Sequence, residues 1–432
     1  MTETHDIPVT DRARVYTEGW QSWSPTTWYR RGEPPHRPDE GWQHLMRFRP
    51  GHPAPEGLLQ GEGLVVVDPG GGGAAEVFAA LDASERVPTI HASWRGDRVI
   101  VTAEDGVERW TAAPSDDPGD AALAAFGSRF GAAAGARTGS PTPRVWCTWY
   151  QYFEDVTAAH VVENLRAIDA GALGEGVDVD VVQIDDGWSL GTGEWTAPNP
   201  RFGDLSEAVA AIRDTGRRAG VWLAPFSVGS RSDLAVRHPD WLTGPAGYNW
   251  GDELIGLDLT HPGVRDYLSE VFTRLRTLGV DYLKLDFLYS GAVPGARHED
   301  FTPVAAYRSG LQLIRDVMGE DAYLLGCGAP ILPSVGLVDA MRVSPDTFHE
   351  GGEDGSQGMR GRMSLEARSW QDRRLYTTDP DCLVARPGFA LRDEWAEVVL
   401  NAPGVRGFSD RIADLDAHGR ELVRRLLTEG PV

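Results

Sequence analysis

The stretch PGVRDYLSEVFTRLRTLGVDYLKLDF, residues 262–287, joins an amphipathic helical run (262–279) to a near-continuous apolar strand, VDYLKL (280–285), and ends in a carboxylate, Asp286. The same unit recurs along the chain. Working backward, apolar runs stand at RVWCTW (144–149), DVDVVQI (178–184) and GVWLAP (220–225). Working forward, they stand at AYLLGC (322–327), AMRVS (340–344), LYTTD (375–379) and VRGFSD (405–410). Between them lie helix candidates such as 157–170 and 205–219, and 415–430 follows the last. Near-continuous apolar strands that alternate with helices predict a parallel sheet covered on its outer face. Eight such units match a (β/α)₈ TIM barrel. A doubly wound open sheet is the alternative, weakened by the lack of a Gly-rich phosphate loop after the first strand.

The residues before the barrel have a different pattern. LVVVDP (64–69), TIHASW (89–94) and RVIVTAED (98–105) are short strand candidates set off by Gly, Pro and Asp turns. They predict an N-terminal β-sandwich domain over 1–130, a linker over 131–143 containing GARTGSPTP, and a catalytic barrel over 144–432.

Composition narrows the function. Net charge is −23, which disfavours phosphate backbones and anionic membranes, so neither nucleic acid nor membrane is an expected partner. No apolar run approaches membrane-spanning length and no secretory signal is visible, so a cytoplasmic location is expected. Cys147, Cys327 and Cys382 have no metal-like spacing and read as free thiols. The 15 tryptophans exceed what a core of this size needs, and indole faces are suited to stacking on sugar rings.

In a barrel of this kind reactive groups sit at the C-terminal strand ends. Here those ends carry Asp185-Asp186, Asp286, Cys327, Arg342 with Asp346, and Asp379 with Asp381. A lone Asp after a strand is usually a helix cap, but five strand ends carrying such groups around one mouth point to chemistry. Lys284 is the only lysine in the chain; the other 40 basic residues are arginine. A compact ammonium is therefore expected to be needed there. Lys284 and Asp286 lie two apart on a strand and face one side, where the lysine would help keep Asp286 ionised. The adjacent Asp185 and Asp186 would point apart on extended backbone and suit two neighbouring hydroxyls better than a cation. With no His pair at metal spacing, no metal or cofactor is expected. Two separated carboxylates, one beside a cation, match glycoside hydrolysis, with Asp286 as nucleophile and Asp346 as general acid/base.

Taken in order, GWQSWSP (19–25), VVQIDDGW (181–188), GVWLAPFSV (220–228), DYLKLDF (281–287), GCGAP (326–330), RVSPD (342–346) and DPDCL (379–383) resemble the glycoside hydrolase family 36 α-galactosidases. The resemblance implies a retaining exo-α-galactosidase acting on an α-galactoside oligosaccharide, with oligomeric state open. It implies Asp286 as nucleophile, Asp346 as acid/base, and Lys284 and Arg342 as sugar contacts. Asp185 and Asp186 would hold the 4- and 6-hydroxyls. Trp222 and Cys327 would line the galactosyl site, and Trp20 or Trp23 would reach over the mouth. Two departures stand out. Family members commonly carry a C-terminal β-domain, whereas about 22 residues follow the eighth strand here, implying either a truncated chain or a compact form. GCGAP replaces a glycine-rich run near the sugar 2-position, which keeps N-acetylgalactosamine open as the glycone.

Rival readings are an α-N-acetylgalactosaminidase, an α-galactosyl transglycosylase, a non-catalytic sugar-binding protein, and a metal-dependent barrel hydrolase. The last predicts inhibition by chelators.

Overall fold

The structure is a computed structural model that describes residues 2–249, 251–346 and 359–430. All eight expected barrel strands form: Arg144–Cys147, Val181–Ile184, Arg218–Leu223, Val280–Leu285, Tyr323–Gly326, Ala340–Arg342, Thr377–Asp379 and Arg406–Phe408. They pair in parallel in the order seven-six-five-four-three-two-one-eight. The seam between strands seven and eight is bridged by Val405 N–H to the Thr378 carbonyl and Leu383 N–H to the Gly407 carbonyl, both 2.8 Å. The eight strands thus make a nearly closed TIM-like barrel.

Side-chain alternation explains where the chemistry collects. Val145, Val181, Tyr282, Tyr323 and Leu325 fill the barrel interior, with the Tyr282 and Tyr323 rings stacked at 5.3 Å. Two residues further along their strands stand Cys147, Gln183, Lys284 and Cys327, and further still Asp185 and Asp286. The lumen therefore changes from apolar to ionic toward the C-terminal end. Gly220 is needed for this packing: a Cβ there would lie 2.9 Å from the Tyr282 ring.

The N-terminal region forms two antiparallel sheets. One holds Glu3–Pro8, Leu59–Glu62, Thr89–Arg95 and Arg98–Ala103; the other holds Arg14–Thr17, Thr27–Arg30, Leu64–Asp68, Glu76–Ala79 and Glu108–Thr111. Ile7, Val15, Val65, Val67, Phe78, Ile90, Val99 and Val101 form the core between them. The stretch read as a linker from 131 begins inside a helix, Pro118–Ala134, and runs on without regular structure from 136. That helix is capped by Asp117 and ends at Gly135 in the left-handed conformation. Its apolar face, with Phe126 and Phe130, packs near Trp370, so the helix is part of the core.

One element was not expected. After strand three the chain makes an antiparallel three-stranded sheet, Ser227–Gly229, Leu242–Asn249 and Asp252–Leu257, on the C-terminal side of the barrel. Among the described residues no helix is long and apolar enough to cross a membrane.

Candidate active site

A cavity of about 710 Å³ opens at the C-terminal ends of the strands. Its floor carries Asp185, Asp186, Trp222, Lys284, Asp286 and Asp346. Asp286 follows strand four. Its Oδ2 accepts the Trp222 indole N–H at 3.0 Å and its Oδ1 accepts the Phe287 backbone N–H at 2.8 Å. Phe287 adopts a left-handed conformation, φ 48°, which is strained for a bulky residue and turns its amide back onto the carboxylate. Burial pushes the Asp286 carboxyl above the usual range; Lys284 pulls it down, Asp346 pushes it up, and hydrogen bonds from Trp222 and Cys327 pull it down. Burial and the neighbouring Asp286 hold the Cys327 thiol well above its usual range, so it acts as a donor.

Lys284 does not bond Asp286 directly. Its Nζ donates to Asp185 Oδ2 at 3.0 Å, the same oxygen that takes Gln183 Nε2 at 2.6 Å and the Cys147 thiol at 3.4 Å. Burial opposes the ammonium, but Asp185 and Asp286 together raise its pKa well above the ordinary value. The lysine is thus a buried cation shared by two carboxylates. Asp185 and Asp186 both line the cavity. Strand two ends at Ile184, so the alternation that would send them to opposite faces has already lapsed. Burial, then Asp185 and Glu154, push Asp186 up to about 7, while Asn249 of the inserted sheet hydrogen-bonds it.

Asp346 lies opposite, after strand six. The fully buried Arg342 donates from Nη2 to Asp346 Oδ1 at 2.8 Å and, from the same nitrogen, to Asp381. Tyr150 donates its hydroxyl to Asp381 as well. Burial raises Asp381 to about 6 against the pull of Arg342.

The upper wall is aromatic. Trp23, Trp42, Trp149, Phe153, Tyr248 and Phe287 line it. Trp23 packs edge-on to Phe287 and Tyr289 with ring centroids 5.1 and 5.9 Å apart. The sandwich side therefore helps close the cavity within one chain. The segment 42–47 is tied down by Ser24 Oγ donating to the Arg47 carbonyl at 2.6 Å and by Gln21 donating to the Met46 carbonyl. Met46 sits over Gly247, where a Cβ would come within 2.3 Å of it and where φ is +101°.

A family model described as Melibiase matches residues 143–311, the first half of the barrel. The chain superposes on the α-galactosidase TtGalA of Thermus thermophilus, solved with p-nitrophenyl α-D-galactopyranoside, with a TM-score of 0.82 and 28% identity over 99% of this chain and 88% of that one. The first half of the barrel thus matches the melibiase family model, and the chain as a whole resembles an α-galactosidase in fold. A curated relative, the α-galactosidase of Escherichia coli, is 32% identical over 130 residues, 27% of this chain and 18% of its own length. The bifunctional α-galactosidase/sucrose kinase AgaSK of Mediterraneibacter gnavus is 28% identical over 32% of this chain and 15% of its own length. The matched segments thus span less than a fifth of these curated relatives.

Of the residues singled out in the sequence, Asp185, Asp186, Trp222, Lys284, Asp286, Asp346 and Trp23 come together on the cavity wall. Arg342 and Cys327 stand behind it, bonded to Asp346 and Asp286 respectively. Trp20 is elsewhere: it is buried in the core with Arg49 stacked on its ring at 4.7 Å. Sequence reasoning missed Glu154 and Phe153, which follow strand one, and Tyr248 and Asn249 on the inserted sheet. The last two had a signal: two runs, 242–249 and 252–257, flank a short turn with Gly251, as in a hairpin. Among the described residues no group of three or more His, Cys, Asp or Glu side chains could hold a metal ion.

Proposed function

We propose that this chain is a retaining exo-α-galactosidase that releases terminal α-linked galactose by double displacement. Asp286 attacks the anomeric carbon as the glycosidic C–O bond breaks, and Asp346 gives its proton to the leaving oxygen. A water then attacks the glycosyl-enzyme, Asp346 takes the water's proton, and Asp286 leaves as a carboxylate. Asp185, Asp186 and Lys284 bind the galactosyl hydroxyls. The observation that carries this reading is Asp286 on the cavity floor, its oxygens held by Trp222 and the Phe287 amide, sharing that cavity with an Arg342-anchored Asp346. It agrees with the α-galactosidase names of the relatives and with the galactoside and stachyose complexes of the T. thermophilus enzyme. The sandwich at 1–130 belongs to the working unit, because Trp23, Trp42, Met46 and Arg47 line the cavity. Three unpaired cysteines suit a reducing cytoplasm.

Hydrolysis of aryl α-D-galactoside and aryl α-N-acetylgalactosaminide, by wild type and Asp286→Ala, tests the reading. Cleavage of the galactoside by wild type alone, with α-galactose as the first product seen by NMR, is expected. Cleavage of the acetamido sugar alone moves the glycone assignment. β-Galactose as the first product ends the retaining mechanism.

A further inference from the structure

We propose that Asp381 and Tyr150 are positioning residues for Asp346, fixing and partly neutralising the Arg342 guanidinium that grips it. The inference rests on the reading of Asp346 as acid/base. Asp381 is buried and is not among the residues that line the cavity, so any effect it has on substrate passes through a neighbour.

Its own placement is over-determined. One carboxylate oxygen takes both Arg342 Nη2 and the Tyr150 hydroxyl, and the other takes the Cys382 amide at 2.7 Å. The Asp381 amide donates to Asp379 Oδ1 at 3.0 Å. The backbone is left-handed at φ 80°, one of four such non-glycine residues among the described residues; Phe153 and Phe287 on the cavity wall are two others. Strain of this kind persists where surrounding contacts hold it.

The chemistry explains why a second carboxylate is useful. Asp346 is half-exposed, with 43% of its side chain accessible, and the Arg342 bond orients it. A buried arginine facing Asp346 alone would concentrate its whole charge on the group read as the general acid. Asp381 shares that charge from the other side, so Arg342 can hold Asp346 in place without its full charge falling on it. Among the described residues the other titratable groups facing this set include Asp286, Asp379 and the Cys327 and Cys382 thiols, and they stay unchanged in the test.

The test compares wild type, Asp381→Asn, Tyr150→Phe and Asp346→Asn on raffinose and on p-nitrophenyl α-galactoside, with pH profiles of kcat/KM. Asp381→Asn should lose roughly 100-fold in kcat on raffinose but less than about 5-fold on the aryl substrate, whose leaving group needs little protonation. Its alkaline limb should move to lower pH by about half a unit or more, because Asp346 then meets the arginine charge undivided. Tyr150→Phe should move the limb the same way by less. Equal losses on both substrates with an unmoved limb would overturn the proposal, leaving Asp381 a packing role. If Asp381→Asn does not fold, an unmoved limb in Tyr150→Phe overturns it. If Asp346→Asn shows no leaving-group dependence, the acid/base reading falls first and the inference with it.

Discussion

The indole of Trp222 donates to Asp286 Oδ2 at 3.0 Å, joining strand three to the end of strand four through the proposed nucleophile. The indole is locked in turn, since the Trp222 carbonyl accepts the Trp188 indole N–H at 2.8 Å and its ring packs against Trp195 and Phe287. The bond favours the carboxylate, which burial disfavours. Trp222→Phe keeps the ring and removes the donor. The carboxyl should then rise further, so the acid limb of the pH profile moves to higher pH. A loss of roughly 10-fold in kcat at neutral pH is expected from one charge-assisted hydrogen bond. An acid limb that stays in place would show that Trp222 acts by shape alone.

Asp186 on the cavity wall carries a stability cost. Its carboxyl is raised from 3.8 to about 7, chiefly by burial. A folded-state value above the unfolded one means that stability is greatest with the proton on. That contribution is full below about pH 4 and is lost as pH rises through about 7. Asp186→Asn removes the charge and keeps the shape. It should melt higher than wild type at pH 8, with the gap closing toward pH 4, while galactoside hydrolysis falls sharply. A melting difference independent of pH would contradict the burial argument.

Much of this was legible before the fold was seen. The eight strands were readable because each is a short apolar run ending in a turn, and Asp286, Lys284 and Asp185 follow from where those runs end. What escaped notice lies where local pattern loses its meaning. Arg342 looked like a sugar contact, but its wall position is taken by Asp346, and three carbons of side chain let it anchor from behind. Trp20 and Trp23 sit in one motif, yet the bridge between Gln21 and Pro330 turns one indole to the core and the other to the cavity. That pairing joins residues 309 apart in sequence, beyond the reach of any local pattern.

The single lysine makes a specific demand. Lys284 bonds Asp185 in a buried pair, and removing one partner strands the other charge. Lys284→Met should cost roughly 3–5 kcal/mol, whereas Lys284→Met with Asp185→Asn should recover much of it. Lys284→Arg keeps charge but brings a planar fork into a space filled by Gln183, Cys147 and Asp185, so kcat/KM should drop on any galactoside. Denaturant melts of the two single variants and the double measure the coupling; simple additivity would mean that the pair contributes nothing.

The last prediction concerns how the sandwich holds the mouth. Glu18 is fully buried and accepts from the Tyr16 hydroxyl at 2.7 Å, the Arg368 Nε at 2.8 Å and Gln371 Nε2 at 2.7 Å. Arg368, also fully buried, donates onward to the Ser22 and Val343 carbonyls at 2.8 and 2.9 Å. Those two carbonyls sit beside the cavity: Ser22 precedes Trp23 on its wall, and Val343 follows Arg342. One guanidinium therefore fixes both the aromatic cover and the anchor of Asp346. Glu18→Gln leaves Arg368 without its counter-charge, and a loss of roughly 3–5 kcal/mol is expected. Because the loosened segment carries Trp23, KM for oligosaccharides should rise more than KM for a small aryl galactoside. Stability and KM are read on the same preparation by thermal melts and steady-state kinetics. A destabilised variant with both KM values unchanged would confine Glu18 to holding the fold, and would mean that Trp23 keeps its place by packing on Phe287 and Tyr289 alone.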